Sequence, residues 1–251
     1  MAVVDTDIKV YCSLNMPESN GTTSGGGIDL ATKAVFTDIA ATDSVKIVSD
    51  NAADTTQVVT ITGRDASGAI ISSIINLNGT TLSAASSNTF ERILKIVIDS
   101  SHAGTVTVSR NTGGATIATL ETGILSARRL FYDAAADVGG GADRIYYEKI
   151  FIKNTNGVSA VSSASVQENS DPSTYVTFDL EGSKDGTNSV VDRLDTAPTG
   201  MLGTFTNSNK SIPGGSLGPG QAIGTWLALN LLAGTSPAKN TWGVRLSGTT
   251  T

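Results

Sequence analysis

Short runs rich in Val, Ile and Thr recur along this chain, each closed by a turn rich in Gly, Asn or Ser, and that rhythm suits β-strands far better than helices. Residues 57–63 and 69–77 flank Arg64-Asp65-Ala66-Ser67-Gly68, a hairpin loop by its composition. In the second arm Ile71, Ile75 and Leu77 fall on one face at period two, and Asn78-Gly79 marks the next turn. Residues 105–109 and 115–120 flank Arg110-Asn111-Thr112-Gly113-Gly114, a second hairpin. Residues 90–98 are apolar on both faces, the pattern of a central strand, although a short helix fits the same run. No segment has the length and periodicity of a long helix. The expected fold is therefore all-β, with two Ig-like or jelly-roll-like β-sandwich units.

Three segments organise the chain. Residues 1–38 hold a strand over 7–15, a loose Gly- and Ser-rich stretch over 16–27, and a second apolar segment over 28–39 that runs up to the boundary. The stretch is either a flexible linker or a Gly-rich N-terminal arm shaped by a neighbouring surface. Residues 39–125 form the first sandwich and residues 126–251 the second. In the second, strands are expected over 145–154, 159–167 and 175–180. Residues 225–231 and 242–246 are expected to close it as a strand pair. Residues 184–211 read as a long loop, and Trp226 and Trp242 as core or interface anchors, core being the blander choice.

Composition excludes several functions. A net charge of −6 lacks the field of Lys and Arg that nucleic-acid binding requires. Arg128 and Arg129 are the nearest thing to a basic patch, and surface or interface salt bridges account for them. The most apolar run, 223–233, is too short to span a bilayer, and the first residues do not resemble a signal peptide. The single cysteine, Cys12, allows no internal disulfide framework and reads as a small buried hydrophobe. Both features fit synthesis in the cytoplasm.

The side chains of catalysis are scarce. His102 is the one histidine and sits in a turn, where a solvated ring is expected, without a Gly-x-Ser-x-Gly elbow beside it. A zinc site would need more His and Cys ligands than the chain has. Asp50 and Asp54 lack the frame of a calcium loop, and Gly25-Gly26-Gly27 opens no phosphate-binding helix. No catalytic residue, metal ligand or cofactor is therefore assigned, and the expectation is a protein that is not an enzyme.

The second half resembles tailed-bacteriophage virion structural proteins. The resemblance rests on Leu130-Phe131, the run from Tyr146 to Asn154, the alternating run from Tyr175 to Leu180, and Ala197-Pro198-Thr199. It continues through Ser216-Leu217-Gly218-Pro219-Gly220, Ile223-Gly224-Thr225-Trp226 and Val244-Arg245-Leu246-Ser247-Gly248. Thr6-Asp7-Ile8-Lys9 followed by Ser24-Gly25-Gly26-Gly27 is similar to how such proteins begin, so the resemblance covers about 1–38 and 128–251. The order of these short motifs carries it. Residues 42–125 depart from the simplest form of the pattern and read as an inserted sandwich, with the N-terminal strand pairing against the C-terminal unit.

The resemblance implies a virion component that decorates or cements the capsid, or alternatively belongs to the neck, collar or tail. Its implied partners are copies of itself and other virion proteins, the major capsid protein or neck and tail proteins, with no nucleic acid and no membrane. It would be made in the host cytoplasm and end in the virion. Met16, Pro17, Asn20, Gly25, Gly26 and Gly27 are the candidate contacts of an assembly arm. A receptor- or glycan-binding β module is the competing class, and an enzyme comes last.

Overall fold

Turn chemistry closes the hairpins of the computed structural model, which describes residues 2–137, 139, 141–171, 174–234 and 241–250. The chain folds as two compact units, one built from residues 1–29 and 131–251 and the other from residues 30–130. The strands β1 (Ile8–Asn15) and β2 (Ser24–Lys33) come first. β2 carries the chain over the boundary at Asp29, so the first unit receives the chain again only at Phe131.

The unit of residues 30–130 contains β3 (Val45–Ser49), β4 (Val58–Arg64), β5 (Ile70–Asn76), β6 (Arg92–Ile98), β7 (Val106–Arg110), β8 (Thr116–Leu120) and β9 (Ser126–Arg128). One sheet has the order β9-β6-β4-β5, with the end of β2 running parallel to β9 through Thr32 and Lys33. The other has the order β3-β7-β8. Period-two alternation buries Val45 and Ile47 on β3, Val59 and Ile61 on β4, and Val106 and Val108 on β7. Within residues 90–98 the strand is Arg92–Ile98, with Ile93, Leu94, Ile96 and Ile98 buried, as two-sided apolarity requires at the centre of a sheet. Gly63 lies where the register of β4 and β6 shifts, and a Cβ there would collide with the Arg92 carbonyl and the Phe90 ring.

The other unit adds β10 (Arg144–Asn154), β11 (Val161–Ser170), β12 (Val176–Lys184), β13 (Ser189–Val190), β14 (Lys210–Ser211), β15 (Ser216–Leu217), β16 (Ala222–Leu231) and β17 (Gly243–Thr250). Its main sheet runs β12-β16-β10-β1, with the start of β2 beside β1. β1 is antiparallel to β10, from Ile8 opposite Asn154 to Cys12 opposite Ile150. β17 pairs with β11 in a separate sheet that also holds β14 and β15.

This arrangement corrects the expected pairing of residues 225–231 with 242–246. β16 lies between β10 and β12, whereas β17 joins β11, because both edges of β16 are already taken. The 184–211 stretch is mostly loop, but it crosses β13 and ends in β14, and its Met201 and Thr206 bridge to β12. Among the described residues no helix is long and apolar enough to cross a membrane.

Candidate functional site

The stretch from Met16 to Gly27 lies against its own unit, and buried charge holds it there. β10 carries Glu148 and Lys149 in the middle of an apolar run, and strand alternation sends them to opposite faces of the sheet. Both are fully buried, as are their partners Arg193 and Glu181. Arg193 Nη1 donates to Glu148 Oε1 at 2.9 Å, and Lys149 Nζ donates to Glu181 Oε1 at 2.6 Å.

Each pair also grips the N-terminal stretch. Arg193 donates to the Pro17 carbonyl and to Asn20 Oδ1, both at 3.4 Å, and its backbone N–H donates to the Thr22 carbonyl at 3.1 Å. Gly21 N–H donates to Asp192 Oδ1 at 3.0 Å. On the other face, Lys149 Nζ donates to the carbonyls of Gly26, Gly186 and Asn188 at 2.7, 3.1 and 3.2 Å. Met16 is half-buried, and its Sδ accepts from the Ser13 hydroxyl at 3.4 Å.

Gly25 and Gly26 belong to strand β2, both with positive φ. A Cβ on Gly25 would stand 2.6 Å from the Trp226 ring, so the strand passes over this indole only because glycine is there. A Cβ on Gly27 would meet Leu14 and Thr187 only at ordinary contact distances, so this position does not require glycine for space. Of the six predicted arm residues, then, Pro17, Asn20 and Gly26 meet the buried cations directly and Gly25 meets Trp226.

The electrostatics are those of a clamp. Burial pulls the Lys149 ammonium below its ordinary range, while the hydrogen bond and charge of Glu181 pull the other way. Four oxygens surround the fully buried Nζ, one from Glu181 and three from the backbone. The Phe151 and Trp226 rings lie 4.6 and 5.8 Å from Nζ. Gly224 makes the room, since a Cβ there would strike Glu181 Oε2. These two pairs escaped sequence analysis, although a Glu-Lys dipeptide inside the apolar run from Tyr146 to Ile152 was the available signal.

The other residues singled out from sequence are scattered. His102 is buried, not solvated: its Nδ1 lies 2.6 Å from the Gly104 carbonyl and its Nε2 2.9 Å from the Ile124 carbonyl. Both ring nitrogens thereby face backbone carbonyls. Asp54 accepts from the Ser49 hydroxyl at 2.6 Å and from the N–H groups of Ala103 and Gly104, and Asp50 accepts from Thr105 N–H. Burial would raise the Asp54 carboxyl, but these bonds and nearby His102 outweigh it and hold it below its usual 3.8. Among the described residues no group of three or more His, Cys, Asp or Glu could hold a metal ion.

Arg128, on β9 between β2 and β6, is buried and not a surface cation. Arg129 pairs with Asp38 at 2.6 Å. Cys12 is buried and forms no disulfide. Trp226 is fully buried, whereas Trp242 is half-buried and donates its indole N–H to Glu168 Oε2 at 3.2 Å.

No known protein family, curated protein or solved structure matches this chain.

Proposed function

We propose that this chain is a non-enzymatic structural subunit of a tailed-bacteriophage virion and that it decorates or cements the capsid by packing against other subunits. The observation that carries the reading is a coincidence of boundaries. The motifs of the resemblance span 1–38 and 128–251, and one compact unit is built from 1–29 and 131–251. Those motifs supply its framework: the run from Tyr146 to Asn154 lies in β10, the Tyr175 run in β12, and Ile223-Gly224-Thr225-Trp226 in β16. Within them, Lys149, Gly224 and Trp226 build the clamp that holds the N-terminal stretch. A net charge of −6 suits an outer capsid face better than one against packaged DNA.

Mass spectrometry of purified particles encoded with this chain tests the reading. The chain should appear in stoichiometric amount with the capsid protein. Its absence from intact particles would refute virion membership. A copy number of one ring per particle would instead favour the neck or tail.

A further inference from the structure

β5 is the outer strand of its sheet, and its hydrogen bonds show which groups face outward. Asp65 N–H donates to the Ala69 carbonyl and Leu77 N–H to the Gln57 carbonyl, both at 3.0 Å, closing the hairpin at its two ends. In that antiparallel register Ile71, Ser73 and Ile75 exchange backbone bonds with β4. Ile70, Ser72, Ile74 and Asn76 turn their N–H and C=O groups away from it. Residues 87 and 88 lie against the middle of β5, where Asn88 Nδ2 donates to the Ser72 carbonyl at 2.7 Å. Through the inward-facing Ser73 side chain, Asn88 N–H donates to Ser73 Oγ at 3.2 Å, and the Ser73 and Ser87 hydroxyls lie 3.3 Å apart.

The side chains of the same residues are exposed: Ile70 is 51% and Ile74 is 71% accessible. From Ala69 to Leu77 no residue is charged. Long, uncharged, apolar edges pair with other strands unless something blocks them, and neither Lys, Pro nor an inward charge blocks this one. The neighbouring edges are closed differently. Residues 83–86 bond to the outer edge of β3 through Ser83 N–H to the Ile47 carbonyl and Ser86 N–H to the Val45 carbonyl. An open groove runs between Ile74 on β5 and Leu82 on the way to that segment.

We propose that the β5 edge pairs with the β5 edge of a second copy, antiparallel, about a two-fold axis through Ser72. The sequence of the edge selects this occupant. Residues directly opposite in an antiparallel pair share a face, so Ser72 meets Ser72 of the second copy, and Ile70 meets Ile74 in both directions. Each exposed isoleucine then covers an isoleucine, and the outward groups of Ile70, Ser72 and Ile74 all find partners. Two copies of an acidic chain repel least where neither carries charge, and the uncharged run from Ala69 to Leu77 is such a place. A shift of the axis to Ser73 sets Ser72 against Ile74 and loses the match. The carbonyl of Ser72 has a second lone pair, so Asn88 need not leave.

This pairing deepens the subunit reading but rests on the geometry of β5 alone, so the two fail separately. Sedimentation of the full chain at micromolar concentration measures it. Wild type should sediment as a dimer, and Ile74→Lys as a monomer whose circular dichroism spectrum is that of the folded chain, since that side chain is already exposed. Ser72→Cys should form a disulfide-linked dimer on mild oxidation, because opposed residues at the axis lie within disulfide reach. Ile70→Cys alone should not cross-link, but mixed with Ile74→Cys it should. A monomeric wild type would overturn the proposal, and so would a dimer that survives Ile74→Lys or a Ser72→Cys chain that stays uncrosslinked. A monomer still found in particles would sink the pairing and leave virion membership standing.

Discussion

The two units solve the same problem, fixing the register of strands, with different chemistry. The unit of residues 30–130 does it with apolar alternation: Val45 and Ile47, Val59 and Ile61, and Val106 and Val108 point inward at period two. Its buried Asp54 and His102 bond to backbone in the loops at the strand ends. The unit of residues 1–29 and 131–251 instead buries two complete ion pairs at the centre of β10. A slip of one residue there would exchange the faces of Glu148 and Lys149 and strand both charges. Charge thus specifies register in one unit, and shape in the other.

The largest expected effect breaks that contrast. Lys149→Met leaves Glu181 buried without its cation, which should cost about 3–5 kcal/mol in the unit that holds it. Hydrogen exchange resolved by segment should show the loss in β10, β12 and β16 and none in β4 or β6. The double change Lys149→Met with Glu181→Leu should recover only part of it, since a packed apolar pair can replace a buried ionic one but leaves the carbonyls of Gly26, Gly186 and Asn188 without the Lys149 donor. Next comes Gly224→Ala, whose Cβ would strike the same carboxylate and should cost about 1–3 kcal/mol in denaturant unfolding.

In the other unit, Asp54→Asn should cost about 1–3 kcal/mol, because a charge-assisted acceptor of backbone N–H groups is weakened. The pH dependence follows from the same group. Asp54 is held below 3.8 in the folded chain, so its contribution is fully present above that value and is lost as pH falls below it through the folded value. Acid should therefore unfold wild type more steeply than Asp54→Asn, as circular dichroism titration would show. The smallest effect belongs to Arg245→Ala, which removes exposed bonds to Gln167 Oε1 and should change stability by under about 0.5 kcal/mol.

The hairpins at 57–77 and 105–120 were legible in sequence because local turn chemistry fixes them. The partners of β16 and β17 were not, since nothing local says that β16 sits between β10 and β12. His102 looked solvated because its turn is polar. Its ring is in fact buried by residues over twenty positions away, such as Ile124. The clamp lay beyond reach for a related reason. Lys149, Glu181 and the Gly26 carbonyl are distant in sequence and meet only once β2 crosses Trp226. The exposed isoleucines of β5 were visible as part of an alternating strand, but that strand's place at a sheet edge was not.

Cryo-electron microscopy of intact particles bears most directly on the claim that this polypeptide contributes packing surfaces rather than chemistry. Density for both β units should repeat over the capsid with its local symmetry, with copies touching through their sheet edges. Particles whose shells and necks lack that density, together with substrate turnover by the isolated chain, would contradict it.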